Sequence, residues 1–140
     1  MLALLRNLKM RRSHTITLQI ERPYAVVYRF LADPRNFSQW AAVDEATFVP
    51  LEGGDWSAMT PGGPRHYRFT PPNEFGVLDH AQFVPGETPL FTPMRVVANE
   101  EGSELLFTFF RRAGMSDAEF DSTIEWITTD FLTLKSVLEA

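Results

Sequence analysis

Ser116-Asp117-Ala118-Glu119-Phe120 opens a run in which Phe120, Ile124, Ile127, Phe131, Leu134 and Leu138 recur at spacings of 4, 3, 4, 3 and 4 residues. Ser and Glu three apart at its head form a capping box, in which each side chain satisfies a backbone N–H that the first turn leaves free. The spacing that follows keeps every apolar side chain on one stripe of a helix, and such a stripe must be covered by something apolar. No other segment carries a helical stripe of this length, so its partner has to be built from strands.

Upstream, turn signals follow one another closely: Glu52-Gly53-Gly54-Asp55, Pro61-Gly62-Gly63-Pro64, Pro71-Pro72-Asn73-Glu74, Pro85-Gly86-Glu87-Thr88 and Asn99-Glu100-Glu101-Gly102. They delimit six strands, at 45–51, 56–60, 65–70, 75–84, 90–98 and 103–112, with connections too short for parallel crossovers. A further strand precedes them at 13–21, where Ile16, Leu18 and Ile20 alternate. Between it and the meander lie two short helices. The first starts at Pro23 and presents Tyr24, Val27, Phe30 and Leu31; the second is capped by Asp33, begins at Pro34 and reaches Trp40. The expected architecture is α+β: a seven-stranded curved antiparallel sheet, two short helices after the first strand, and a long C-terminal helix packed across the concave face.

The 140 residues suit one domain, assigned to 13–140, with 1–12 as an N-terminal extension. Aromatics reach 13%, including twelve Phe, enough to line a sizeable interior. There is no cysteine, which excludes disulfides, thiolate chemistry and Cys-ligated metals and fits a reducing, cytoplasmic setting. Net charge is −5, and Arg6, Lys9, Arg11 and Arg12 stand in the extension without an acid, so the domain itself is more acidic still. That balance speaks against nucleic acid as a partner. No run approaches the roughly 18 apolar residues of a membrane span, so no integral membrane association is expected. Residues 1–12 read either as a short basic amphipathic helix or, preferred here, as an extension that packs or frays.

The order of elements, together with Ile20-Glu21-Arg22-Pro23, Val27-Tyr28-Arg29-Phe30-Leu31-Ala32-Asp33-Pro34 and Trp40, resembles the START-like or SRPBCC superfamily, the Bet v 1-like helix-grip fold of plant pollen allergens and polyketide cyclases. Asn73-Glu74-Phe75-Gly76-Val77-Leu78-Asp79-His80, Pro93-Met94-Arg95-Val96-Val97, Gly102-Ser103-Glu104 and 114–120 look like a bacterial polyketide cyclase-like branch of it. The resemblance implies a cavity between sheet and C-terminal helix that takes lipids, polyketides or aromatic products. It does not imply catalysis, since such folds host carriers, sensors, chaperone cofactors and enzymes alike.

Alternation assigns side chains to the cavity. With Thr70 opposite Phe75, Tyr67 faces Leu78 and His66 faces Asp79, which turns Tyr67, Phe69, Leu78, His80 and Gln82 inward and His66, Arg68, Val77 and Asp79 outward. With Ala98 opposite Ser103, Val96 meets Leu105 and Met94 meets Phe107, and these with Phe109 form a floor. Trp40 stands at the expected mouth, and Ile127 and Phe131 look down from the helix. His80 is the one candidate for acid–base chemistry, because a neutral imidazole in an apolar wall can exchange a proton near pH 7. The plainer reading, a histidine that packs or orients a ligand, is preferred, since no second base stands beside it in the pattern.

Other constellations have simpler explanations. His66 and Asp79 as an outward pair are a surface contact, and with His14 on a distant strand no metal site is assembled. Asp117, Glu119, Asp121 and Glu125 complement the N-terminal end of a helix dipole. Thr60-Pro61-Gly62-Gly63-Pro64 lacks the Lys and following helix of a phosphate loop. Trp56 reads as core, and Trp126, off the helix stripe, as packing under a loop or an interface. Leu106 and Phe110 on the outer face, with Trp126, suggest a possible homodimer. Three functions therefore stand open: binding of an apolar or aromatic small molecule, a cyclase or dehydratase using His80, and a protein-interaction domain of chaperone-cofactor type whose cavity is filled by its own side chains. No cofactor is implied.

Overall fold

A computed structural model describes residues 8–140, and the two readings given for residues 1–12 lie largely outside these described residues. Strand β1 (Ser13–Ile20) leads into helix α1 (Tyr24–Ala32), a 3-10 helix (Pro34–Gln39) and a second, short 3-10 turn (Glu45–Thr47). Then come β2 (Val49–Pro50), β3 (Trp56–Thr60), β4 (Gly63–Phe69), β5 (His80–Phe83), β6 (Phe91–Thr92), β7 (Met94–Asn99) and β8 (Gly102–Phe110), and helix α2 (Asp117–Glu139) closes the chain.

The strands do not form the single seven-stranded sheet expected. They form two antiparallel sheets, one of order β1-β8-β7 and one of order β2-β3-β4-β5-β6. Two local causes divide them. Pro93 has no N–H to donate, so the expected 90–98 strand breaks there. Phe91–Thr92 pairs with β5, whereas Met94 onward pairs with β8. The second cause is the segment 71–79, which is a loop rather than the arm of a hairpin. Asn73 holds it: its Oδ1 accepts from the N–H groups of Phe75 and Val77, and its Nδ2 donates to the carbonyls of Pro71 and Val77. The sheets meet through a single Val77–Arg95 bridge and through bonds from Leu78 N–H to Met94 O and from Val96 N–H to Gly76 O.

The expected pairing of Thr70 with Phe75 is corrected accordingly. Tyr67 lies opposite Gln82, Phe69 opposite His80 and His66 opposite Phe83. Asp79 is not beside His66 but forms an ion pair with Arg95 and accepts from the Met94 N–H at 2.8 Å. The hairpin at Asn99–Gly102 has the expected register, with Val96 opposite Leu105 and Met94 opposite Phe107.

Helix α2 begins at Ser116, whose Oγ accepts from the Glu119 N–H at 3.1 Å, and the acids Asp117 and Glu119 occupy its first turn. Its ends are tied down. Arg12 reaches Asp117 and Asp121 and lies 4.4 Å over the Phe120 ring, while at the far end Lys135 Nζ donates to Gln19 O and Glu139 accepts from the Glu21 N–H. Along the stripe, Phe120, Phe131, Leu134 and Leu138 are buried, but Ile124 and Ile127 are only half-buried. The helix therefore packs most closely through Phe120 and its C-terminal half, and Ile127 borders an open space. Among the described residues no helix is long and apolar enough to cross a membrane.

Candidate ligand cavity

The space under α2 is a cavity of about 950 Å³ that opens to solvent. Ring packing builds its wall. Trp40, which ends the Pro34–Gln39 helix, stacks on Phe131 of α2 at 5.6 Å and 18°, and Phe131 meets Phe107 of β8 edge-on at 5.1 Å. Phe37, held in the same short helix that Asp33 caps, meets Trp40, Phe69, Tyr67 and His80 at 5.3 to 5.7 Å between centroids. Aromatic pairs of this kind fix one another's orientation as well as burying area, which leaves the wall rigid without filling the space.

Of the side chains expected to contact a ligand, Trp40, Phe107, Phe109 and Phe131 border the cavity, as do His80, Gln82 and Ile127. Tyr67, Phe69, Leu78 and Met94 form the layer behind them. Tyr67 and Met94 are almost wholly buried, and Leu78 is tied to Met94 through its backbone. The Tyr67 hydroxyl is buried without a hydrogen-bond partner among the described residues, and burial pushes its pKa up to about 12. Trp56 packs on Phe48 at the edge of the core, whereas Trp126 is not packed under a loop: it is 60% exposed at the cavity rim.

His80 sits among Phe37, Phe69 and Phe107, at 5.7, 5.9 and 6.1 Å between ring centroids. Burial in this setting holds the imidazole below its usual pKa, against smaller opposing effects from Leu78 O and Asp79, so the ring is neutral at pH 7. Its Nδ1 lies 3.3 Å from Leu78 O. A carbonyl oxygen can only accept, so the proton belongs on Nδ1 and Nε2 carries the lone pair. His80 is thus an acceptor for a hydroxyl or N–H group entering the cavity, with no carboxylate paired to it.

Several wall residues were not anticipated: Phe37, Arg65, Arg112 and Asp130. Arg65 was legible, since it precedes Tyr67 and Phe69 on the same face of β4. Phe37 and Asp130 were not, because their positions depend on how the short helix and α2 converge. Asp130 accepts from the Ala42 N–H at 3.3 Å, and burial raises its pKa.

No protein-family model and no curated protein sequence matches the chain. Solved structures do. Ara h 8.0201 superposes with TM-score 0.66 at 11% identity, over 92% of this chain and 98% of that one. The Aha1 dimer from Colwellia psychrerythraea gives TM-score 0.66 at 15% identity, over 91% and 96%. DynU16, a protein of the dynemicin biosynthetic locus, gives 0.69 at 14%, over 91% of this chain and 47% of its own. Identities this low carry the fold alone: an α+β arrangement of two antiparallel sheets and a C-terminal helix, consistent with the helix grip seen in Ara h 8.0201.

Proposed function

We propose that this protein binds an apolar or aromatic small molecule in the cavity between its sheets and α2. The observation that carries the reading is a space of about 950 Å³ walled by Trp40, Phe107, Phe109 and Phe131. Ligand sites run from roughly 300 to 1,000 Å³ and are lined mainly by apolar and aromatic side chains with a few placed polar groups. His80 and Gln82 are such groups here. A volume of this size weighs against a core filled by its own side chains, and so against the chaperone-cofactor reading. The absence of cysteine supports a cytoplasmic setting for the binder.

Titration with the neutral fluorophore N-phenyl-1-naphthylamine tests the reading, alongside native mass spectrometry of freshly purified protein. Saturable binding is expected, together with its loss in Ile127→Trp, which places an indole in the space beneath the middle of α2. Wild-type protein that binds no probe and carries no small molecule overturns the reading.

A second reading, an enzyme of cyclase or dehydratase type, is favoured by one observation: a neutral His80 bordering the cavity with Nε2 as a base. Under that reading His80→Phe cuts turnover of an enolisable ketone about 100- to 10,000-fold. A carrier shows no turnover to lose.

Pairing of two copies through the outer face of the β1-β8-β7 sheet belongs to the proposal. Phe110 and Val97 are 43% and 45% exposed there. Trp126 does not take part, since it stands at the cavity rim.

A further inference from the structure

Six cations among the described residues stand in ion pairs: Arg12, Arg35, Arg68, Arg95, Arg111 and Lys135. Arg65 and Arg112 do not, and both border the cavity. Their placement follows from the strands. Arg65 lies two residues before Tyr67 and four before Phe69, on the face of β4 that looks toward α2. Arg112 comes just after β8 ends at Phe110, where the chain leaves the sheet, and its guanidinium lies 5.9 Å from the Phe109 ring centroid.

We infer that Arg112 and Arg65 form an anion-binding end of the cavity, so that its ligand is an apolar or aromatic molecule carrying a carboxylate or similar acid group. The inference deepens the ligand-binding reading and rests on it. A guanidinium in a partly dry setting that lacks a carboxylate partner is a costly arrangement in the empty protein. Burial holds the Arg112 pKa below its ordinary value, and the charges that act on it, Arg11 and Arg65, push the same way. Arg112 thus borders two spaces, the main cavity with Arg65 and a smaller cleft with Arg11 beside Phe109 and Phe110.

The acids of the cavity do not fill the role. Glu87, Glu119 and Asp130 border it, yet none is in an ion pair with either arginine, and Asp130 is turned to the Ala42 N–H. Arg65 donates only to Pro64 O, the carbonyl next to it in the chain. Both side chains therefore keep donors for an incoming oxyanion, and the planar fork of guanidinium matches a carboxylate through two parallel bonds. Nearby aromatic walls would bury the remainder of such a molecule, with His80 Nε2 available to accept from a hydroxyl on it.

The test compares two fluorophores of like body, the sulfonate 1-anilinonaphthalene-8-sulfonate and the neutral N-phenyl-1-naphthylamine, on the full chain. The anion is expected to bind at least tenfold more tightly. Arg112→Met should lose about 10- to 100-fold in affinity for the sulfonate, the range of a charge-assisted hydrogen bond, while the neutral probe shifts less than twofold and so reports an intact cavity. Arg65→Met should act in the same direction, and added salt should weaken only the anion. Equal affinities for the two probes, or equal losses in the variants, overturn the anion assignment and leave the cavity reading standing. Wild-type protein that binds neither probe overturns both.

Discussion

His80 shows how one side chain acquires a defined chemical role from its surroundings. Phe37, Phe69 and Phe107 remove water from the ring, which penalises the imidazolium, and Leu78 O near Nδ1 selects the tautomer with its lone pair on Nε2. This has a consequence for stability. In the unfolded chain the group takes up a proton at its ordinary pKa of 6.5, whereas in the native protein it resists protonation to lower pH. The unfolded state therefore binds more protons at this site in that interval, and the contribution of His80 to stability falls as pH drops below about 6.5, while Asp130, whose pKa is raised, acts with the opposite sign at lower pH. The carboxylates whose pKa values are lowered, Asp33, Asp55 and Glu139, act in a more acidic range and do not overlap it. Urea unfolding of wild type and His80→Phe between about pH 5 and 7 checks this. The variant should show a flatter dependence, and an unchanged slope would remove His80 as its source.

At the scale of elements, the junction between the two sheets is the most constrained part of the fold. Gly76 has φ +69°, and a Cβ placed on it would stand 2.2 Å from Val96 O, the carbonyl of the strand that Gly76 O itself bonds through the Val96 N–H. Gly76→Ala should therefore cost roughly 2 to 3 kcal/mol in denaturant unfolding, the upper part of the range for a strained backbone residue, and a loss under about 0.5 kcal/mol would show that the loop relaxes freely. The same junction explains what was legible in the sequence. The Asn99–Gly102 hairpin was readable because tight turn and alternation agree. The 71–79 segment carries similar turn residues, but the Asn73 side chain uses its amide to shape a wide loop, and nothing in the alternation announces that. The true register there differs from the simple hairpin by four residues. An even displacement leaves every side chain on its own face, whereas a slip of one would reverse them all. His80 and Gln82 were thus placed on the cavity side even though their partners were misassigned, and the Met94 and Phe107 pair came out directly. The division into two sheets at Pro93 was open to a stricter reading, because a proline in mid-strand is a standing argument against a continuous ladder.

For the molecule as a whole, the cavity depends on how α2, the Pro34–Gln39 helix and the sheets converge, which no local pattern encodes. The α2 stripe is continuous in sequence, yet Ile124 and Ile127 at its middle are only half-buried, and Ile127 borders the cavity. The outer surface is the converse case, where alternation along β8 sets Glu104, Leu106, Thr108 and Phe110 away from the core. Part of that face is already satisfied within the chain: Gln19 Nε2 donates to Glu104, Thr15 and Thr108 share a hydrogen bond, and Leu106 is flanked by Thr17 and Arg95. Phe110 and Val97 are not satisfied in this way, and apolar side chains open to water on a mixed sheet face suit a modest, self-complementary contact. Under the pairing proposal, sedimentation equilibrium at micromolar concentration should report twice the 16.0 kDa of the chain, and Phe110→Lys should return the single-chain mass by setting like charges across a two-fold axis. Because the cavity opens elsewhere, between α2 and the sheets, the variant should bind N-phenyl-1-naphthylamine as the wild type does. A sharp 16.0 kDa species in the wild type would sink the pairing and leave the cavity untouched.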